Sequence, residues 1–122
     1  MLLVDAANVI GSRPTGWWRD RAGAARSFVA QVRAAVDSAR ITQPVVVVLE
    51  GKACSGVPTG LADGVTVLHA VGSGDDALVE AVSDASDHEV TLVTADRELR
   101  RRAEALGAAV VGPRWLLHLL EP

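Results

Sequence analysis

Carboxylates recur at one kind of place in this chain. Asp5 follows the apolar run Leu2-Leu3-Val4, Glu50 follows Val45 to Leu49, Asp75 and Asp76 come shortly after Val65 to Ala70, and Asp96 follows Val90 to Thr94. Short, wholly apolar runs are the signature of strands buried on both faces. The polar residue straight after such a run sits at the strand's carboxyl end, where open α/β sheets bind their ligands. Three or four carboxylates gathered at one crevice edge cannot all stay ionised without a cation. An oxygen-only set, with no cysteine and no well-placed histidine, suits Mg²⁺ or Mn²⁺ rather than zinc. Such an ion can activate water and neutralise a phosphate, which is the chemistry of phosphodiester hydrolysis.

Each carboxylate also has a structural reading. Asp75, Asp76 and Asp96 each precede a helical pattern and could serve only as caps, and Glu50 could be a solvated loop residue. Asp5 is harder to explain that way: its flanks are apolar, the pattern shows no helix directly after it, and burying a lone carboxylate is costly.

The elements that must position these groups alternate along the chain. After the first strand, Gly11 to Gly16 reads as a loop. Trp17 and Trp18 lead into an amphipathic crossover helix of roughly twenty residues, with Ala25, Val29, Val32 and Val36 at helical spacing. Pro44 opens the second strand. Residues 51–63, GKACSGVPTGLAD, read as a mobile loop. The third strand, Val65 to Ala70, precedes a helix with Leu78, Val79 and Val82 inward. The fourth, Val90 to Thr94, precedes a helix over 97–106 with Leu99, Ala103 and Leu106 inward, which Gly107 stops. A last strand, Ala108 to Val111, leads to a terminal helix, Arg114 to Leu120, whose Trp115, Leu116, Leu119 and Leu120 are expected to cover the sheet. With right-handed crossovers this order predicts an α/β fold, a three-layer α/β/α sandwich around a parallel sheet of about five strands, as one domain over 1–122.

Composition agrees and narrows the classes. Hydrophobic residues make up 49% of the chain and aromatic residues 3%, so the core must be built from Val, Leu and Ala. A net charge of −3 argues against a whole-surface nucleic-acid binder but not against a local basic stripe. One cysteine, Cys54, excludes an internal disulfide. No apolar run approaches the ~20 residues of a membrane helix and the start lacks a signal-peptide pattern, so the expectation is a cytoplasmic protein with no membrane partner. Lys52 has no phosphate-binding loop around it, which excludes Walker-type nucleotide hydrolysis. His69, His88 and His118 share no spacing and are not expected to be ligands.

Three motifs carry a resemblance. VDAANVI resembles the opening motif of the NYN group of PIN-like ribonuclease domains, GSGDDAL the acidic helix start of that family, and VTADREL its late motif. They span positions 2 to 99 in the family's order. The resemblance implies a PIN-like fold that cleaves RNA with Mg²⁺ or Mn²⁺, with Asp5, Asp75 and Asp96 as ligands, Asn8 orienting Asp5 or touching substrate, and Thr94 bonding the ligand Asp or a phosphate. Asp76 competes with Asp75 for the second position; the match leaves both open, and Asp75 is the preferred ligand of the two. Glu50 stands where related domains often carry Asp, and Ala95 where serine is common.

RNA, expected to be single-stranded, needs basic and stacking groups. Arg13 and Arg97 adjoin the carboxylate motifs and could reach phosphates. Arg100 to Arg102 read equally as a solvated helix face pairing with Glu98 and Glu104. Trp17 and Trp18 could stack on bases, although burial of one against the crossover helix is the simpler reading.

The leading expectation is a metal-dependent endoribonuclease, one form of which would be the toxin of a toxin–antitoxin pair with an antitoxin or other protein partner. The alternative is a non-catalytic RNA-binding or protein-docking module on the same fold, motivated by Glu50 and Ala95. A phosphatase or receiver-like domain fits poorly, because Asp5-Ala6-Ala7 carries neither an acidic pair nor D-x-D. The Leu-rich end, LLHLL, either completes the core or forms a homodimer face.

Overall fold

The structure, a computed structural model, describes residues 1–85 and 88–121. Its elements are β1 (Leu2–Asp5), α1 (Ala6–Gly11), a 3-10 turn (Trp17–Arg19), α2 (Arg21–Asp37), β2 (Val45–Leu49), a second 3-10 segment (Gly51–Gly56), β3 (Gly60–Ala62), β4 (Val65–His69), α3 (Gly74–Asp84), β5 (Thr91–Val93), α4 (Arg97–Ala105), β6 (Ala109–Val111) and α5 (Pro113–Leu120). The six strands form one sheet in the order β3-β4-β2-β1-β5-β6. All pairs are parallel except β3 with β4.

Alternation along the strands splits the apolar side chains into two cores. Leu2 and Val4 face one layer, with Val47 and Val67 beside them and Val29, Val32 and Leu116 from α2 and α5 packed on top. Leu3, Val48 and Leu92 face the other, covered by Leu78 and Val82 of α3 and Leu99 and Ala103 of α4. This is the expected three-layer α/β/α sandwich. The connection β1 to β2 runs one way along the sheet with its helix on one face, whereas β4 to β5 and β5 to β6 run the other way with helices on the opposite face. Right-handed crossovers require that exchange of faces.

The direction of winding reverses between β1 and β5, so the topological switch point lies at their carboxyl ends. Leu3 pairs with Leu92 and Val4 with Val93, which brings Asp5 beside Thr94. On the other side Asp5 pairs with Val48, two residues before Glu50. The α3 crossover starts close by, because Ala70 donates its N–H to the carbonyl of Leu49 at 2.8 Å and only three residues separate it from Gly74.

Several local expectations are corrected. A helix does follow Asp5 at once: α1 starts at Ala6, and Asp5 is its N-cap, accepting the Asn8 N–H at 3.3 Å. One residue therefore ends a strand and opens a helix, which a short apolar pattern hides. Residues 51–63 are not an irregular loop. Gly51–Gly56 form a 3-10 segment against α2, so close that a Cβ on Gly56 would lie 2.1 Å from the Ala22 carbonyl oxygen. Gly60–Ala62 add a sixth, antiparallel edge strand. Its turn is Asp63-Gly64, both at positive φ (52° and 78°), the pairing that favours a tight hairpin. Leu106 and Trp115, expected inward, are 50% and 43% exposed, and Leu116 and Leu120 do the covering.

Candidate functional site

Asp5 is buried, 7% exposed, and both its oxygens are engaged. Oδ1 accepts the Asn8 N–H, and Oδ2 accepts the Thr94 hydroxyl at 2.9 Å. Thr94 Oγ1 in turn accepts the Asp96 N–H at 3.2 Å. Asn8, carried one turn along α1, accepts the Ala95 N–H on its Oδ1 at 2.8 Å. A strand end, the helix capped by it and the turn after β5 are thus tied together by side chains of the first and last motifs. Asp96 caps α4 through Oδ1, which accepts the Leu99 N–H at 2.9 Å. The capping reading of Asp96 therefore holds, and it occupies one oxygen of two.

Across the crevice, Glu50 Oε2 accepts the Gly74 N–H at 2.6 Å. This contact requires glycine in the observed geometry, since a Cβ on Gly74 would lie 2.5 Å from that oxygen. Asp75 follows in the first turn of α3, whose N-cap is Ser73.

The electrostatics gather four carboxylates from four elements. Burial pushes the Asp5 carboxyl up from 3.8 to about 6; the hydrogen bonds from Thr94 and Asn8 oppose this, while the charges of Asp75 and Glu50 add to it. Asp75 is also raised, by burial first and then by Asp96 and Glu50, with Arg102 acting against them and the neighbouring Asp76 adding a last, smaller push. The charges of Glu50, Asp75 and Asp96 thus bear on the crevice that Asp5 closes. Asp76 stands at the margin, its charge the last of those that raise Asp75. Its carboxylate pairs with Arg102 at 3.0 Å and lines a separate groove along α3.

The cluster is not a cage. Among the described residues no three His, Cys, Asp or Glu side chains are grouped so as to hold one metal ion. A hydrated Mg²⁺ does not need such a group, because it keeps several waters and takes one or two carboxylates plus substrate phosphates. The all-oxygen donor chemistry at this crevice fits an ion of that kind better than a tetrahedral zinc site.

The basic groups divide. Arg97 is exposed at the first position of α4, directly after Asp96, beside the site as expected. Arg13 is held on α2 by Gln31 Oε1 at 3.2 Å and lines a cavity of about 280 Å³ on the Trp17 side, with no carboxylate partner among the described residues. Arg100, Arg101 and Arg102 pair with Glu104, Glu98 and Asp76, the solvated-face reading. His69 contacts the Val57 carbonyl at 2.7 Å. Trp17 is half-buried and meets Trp18 edge to face, with ring centroids 6.0 Å apart. The Arg21 guanidinium lies over Trp17 at 5.3 Å from its centroid. Sequence reasoning did not pair Arg21 with Trp17, although their spacing of four was a usable signal.

The chain matches no protein-family model and no curated protein. Its fold is shared with solved structures of Rae1 (YacP) from Bacillus subtilis. The superposition covers 99% of this chain and 73% of that one, with a TM-score of 0.73 and 22% identity. A tryptophan-to-leucine variant of the same protein gives a TM-score of 0.75 at 20% identity, over 98% and 74% of the two chains. At that identity the likeness is one of fold. Among the described residues no helix is long and apolar enough to cross a membrane.

Proposed function

We propose that this protein is a metal-dependent ribonuclease that hydrolyses RNA phosphodiester bonds at the crevice between β1 and β5. The observation that carries the reading is the convergence of Asp5, Glu50, Asp75 and Asp96 at the switch point, with Asp5 and Asp75 both raised by burial and by neighbouring carboxylates. Such a concentration of negative charge calls for a cation. The motif resemblance to NYN domains and the fold shared with Rae1 support the same reading.

In this mechanism one or two carboxylates from Asp5, Asp75 and Asp96 would hold a hydrated Mg²⁺ or Mn²⁺ together with substrate phosphate oxygens, with Glu50 at the margin. Such an ion would supply an activated water and offset charge on the phosphate. Thr94 and the Asn8 N–H fix both oxygens of Asp5, so the carboxylate does not reorient during the reaction. Asn8 holds the β5–α4 turn through Ala95, which sets where Asp96 stands. Arg97, exposed at the rim, would take a phosphate oxygen of the substrate. The second reading, an RNA-binding or docking module without catalysis, is favoured by one specific observation: the absence of a three-residue metal group among the described residues.

Cleavage of a labelled single-stranded RNA with Mn²⁺, Mg²⁺ or EDTA separates the two. Asp96→Asn is a clean variant because Asn also caps helices well. Metal-dependent cleavage that Asp96→Asn loses is the expected result. RNA binding unaffected by EDTA, with no product at any metal concentration, would overturn the nuclease in favour of the module.

A further inference from the structure

Beside the carboxylates lies a cavity of about 150 Å³ whose walls come from four different segments. Three alanines, Ala7 of α1, Ala24 of α2 and Ala53 of the second 3-10 segment, leave the space open. Trp17 and the Arg21 guanidinium stacked over it form one wall, and Glu50 stands at the edge shared with the acidic cluster. Glu50 is anchored by one oxygen only. Oε2 takes the Gly74 N–H, and Oε1 has no hydrogen-bond partner among the described residues. The cavity thus has an aromatic and cationic wall, a floor of small apolar groups and a single fixed acceptor.

We infer that this cavity is a base subsite that takes the cytosine of a nucleotide next to the cleaved phosphate. The inference rests on the reading of the chain as an RNA-handling protein, and deepens it. The size suits one ring, since a volume of ~150 Å³ takes up a benzene, so a pyrimidine fills the cavity. The chemistry argues for cytosine. Its exocyclic amine donates to a carboxylate, the pairing by which Glu reads cytosine in nucleic-acid grooves. Uracil presents O4 at that position, and its one ring N–H is flanked by carbonyl oxygens that a carboxylate repels. Arg21, pinned on the indole face, keeps N–H groups for the adjoining phosphate, and a base seated between its plane and the alanines gains the stacking that single-strand binders use. Glu50 then explains itself as the reader of a base at the margin of the acidic cluster.

The test is binding of fluorescently labelled oligo(C) and oligo(U) to the full chain in EDTA at pH 7.5, so that the result does not depend on cleavage. Oligo(C) is expected to bind about tenfold tighter, the worth of one charge-assisted hydrogen bond. Ala53→Leu, which fills the cavity without removing a polar group, and Ala7→Leu, at an exposed position, should both bring the ratio to near one. Glu50→Gln, whose amide can also donate to O4 of uracil, should bring the ratio to near one as well. Equal binding of the two oligonucleotides by the unmodified protein, a cytosine preference that survives cavity filling, or no binding of either would each overturn the inference. Failure of the nuclease reading shows separately, as absence of cleavage with Mn²⁺ while the cytosine preference persists.

Discussion

The two sides of the crevice are built differently. On the β1–β5 side, Asp5, Asn8, Thr94 and Asp96 are locked into one network of side chains and backbone amides, and Asp5 and Thr94 are buried. On the β2–α3 side, Glu50 is fixed by a single amide and Asp75 has no side-chain hydrogen bond among the described residues. The contrast follows from the topology. Parallel neighbours bring their carboxyl ends into register, so residues one step past paired strands must meet. Groups delivered by a crossover helix arrive with the freedom of the turn before it. The locked side can define geometry, and the looser side can adapt to substrate and ion.

The largest effect expected from breaking this contrast is at Asp5. Its carboxyl is raised from 3.8 to about 6 in the folded state, so the unfolded chain gives up the proton first as pH rises. Stability is then fully present below about 4 and falls as pH passes through about 6. Two units at 1.36 kcal/mol each amount to about 3 kcal/mol. Denaturant titrations in EDTA should show that loss in the unmodified protein, and Asp5→Asn should abolish both the loss and the RNA cleavage. Added Mg²⁺ should restore stability at pH 7.5 to the unmodified protein alone. A flat pH profile would mean that Asp5 carries no charge cost.

Thr94→Val comes next. It keeps the shape of a buried residue and removes the hydroxyl that serves Asp5 and the Asp96 amide at once. Because the Thr94 hydrogen bond holds the Asp5 carboxyl down, its loss should move the pH at which stability falls further upward. Metal-dependent cleavage should drop by roughly 10- to 100-fold, the usual cost of removing a group that orients a ligand. Unchanged cleavage would show that the locked side is a structural network only.

How much of this was legible in the sequence follows the same division. Apolar runs ending in carboxylates located β1, β2 and β5 and picked out Asp5, Glu50 and Asp96, because buried parallel strands leave a strong pattern. The layers followed from the alternation of strands and helices. Helix α1 was hidden because six residues are too few to show a period, and Asp5 served two elements. Edge strand β3 was hidden because all three of its residues are exposed and therefore carry no burial pattern, although Asp63-Gly64 marked its turn. The choice between Asp75 and Asp76 is a matter of where two adjacent side chains point on a helix. The pairing of exposed Asp76 with Arg102 and the partial burial of Asp75 toward Asp96 and Glu50 distinguish them.

Gly74→Ala sharpens the looser side. A Cβ there collides with Glu50 Oε2, but that atom ends a flexible side chain and can swing away. The charge-assisted hydrogen bond is lost, at a cost of ~1.5–3 kcal/mol, while alanine in a helix returns up to ~1 kcal/mol. Net stability should fall by about 2 kcal/mol or less in thermal melts. The oligo(C) to oligo(U) binding ratio should nevertheless fall toward one, because Glu50 is no longer aimed. A ratio unchanged by Gly74→Ala would mean that Glu50 needs no anchor to do its work.

The smallest effect is expected at Asp76, and its smallness is informative. Asp76 and Asp75 are sequence neighbours, so any account that rests on local acidity treats them alike. In the structure Asp76 is paired with Arg102, the two side chains being 75% and 35% exposed. An exposed pair of this kind contributes ~0.2–1 kcal/mol and is screened by salt. Asp76→Ala should lower stability by no more than that, with the difference vanishing at high ionic strength. Arg102 holds the Asp75 carboxyl down and Asp76 is only the last of the charges that raise it, so Asp76→Ala leaves the main influences on Asp75 in place and should leave metal-dependent cleavage nearly unaltered. Asp75→Ala should instead abolish cleavage, and a reversal of the two results would move the metal-binding carboxylate one residue along α3.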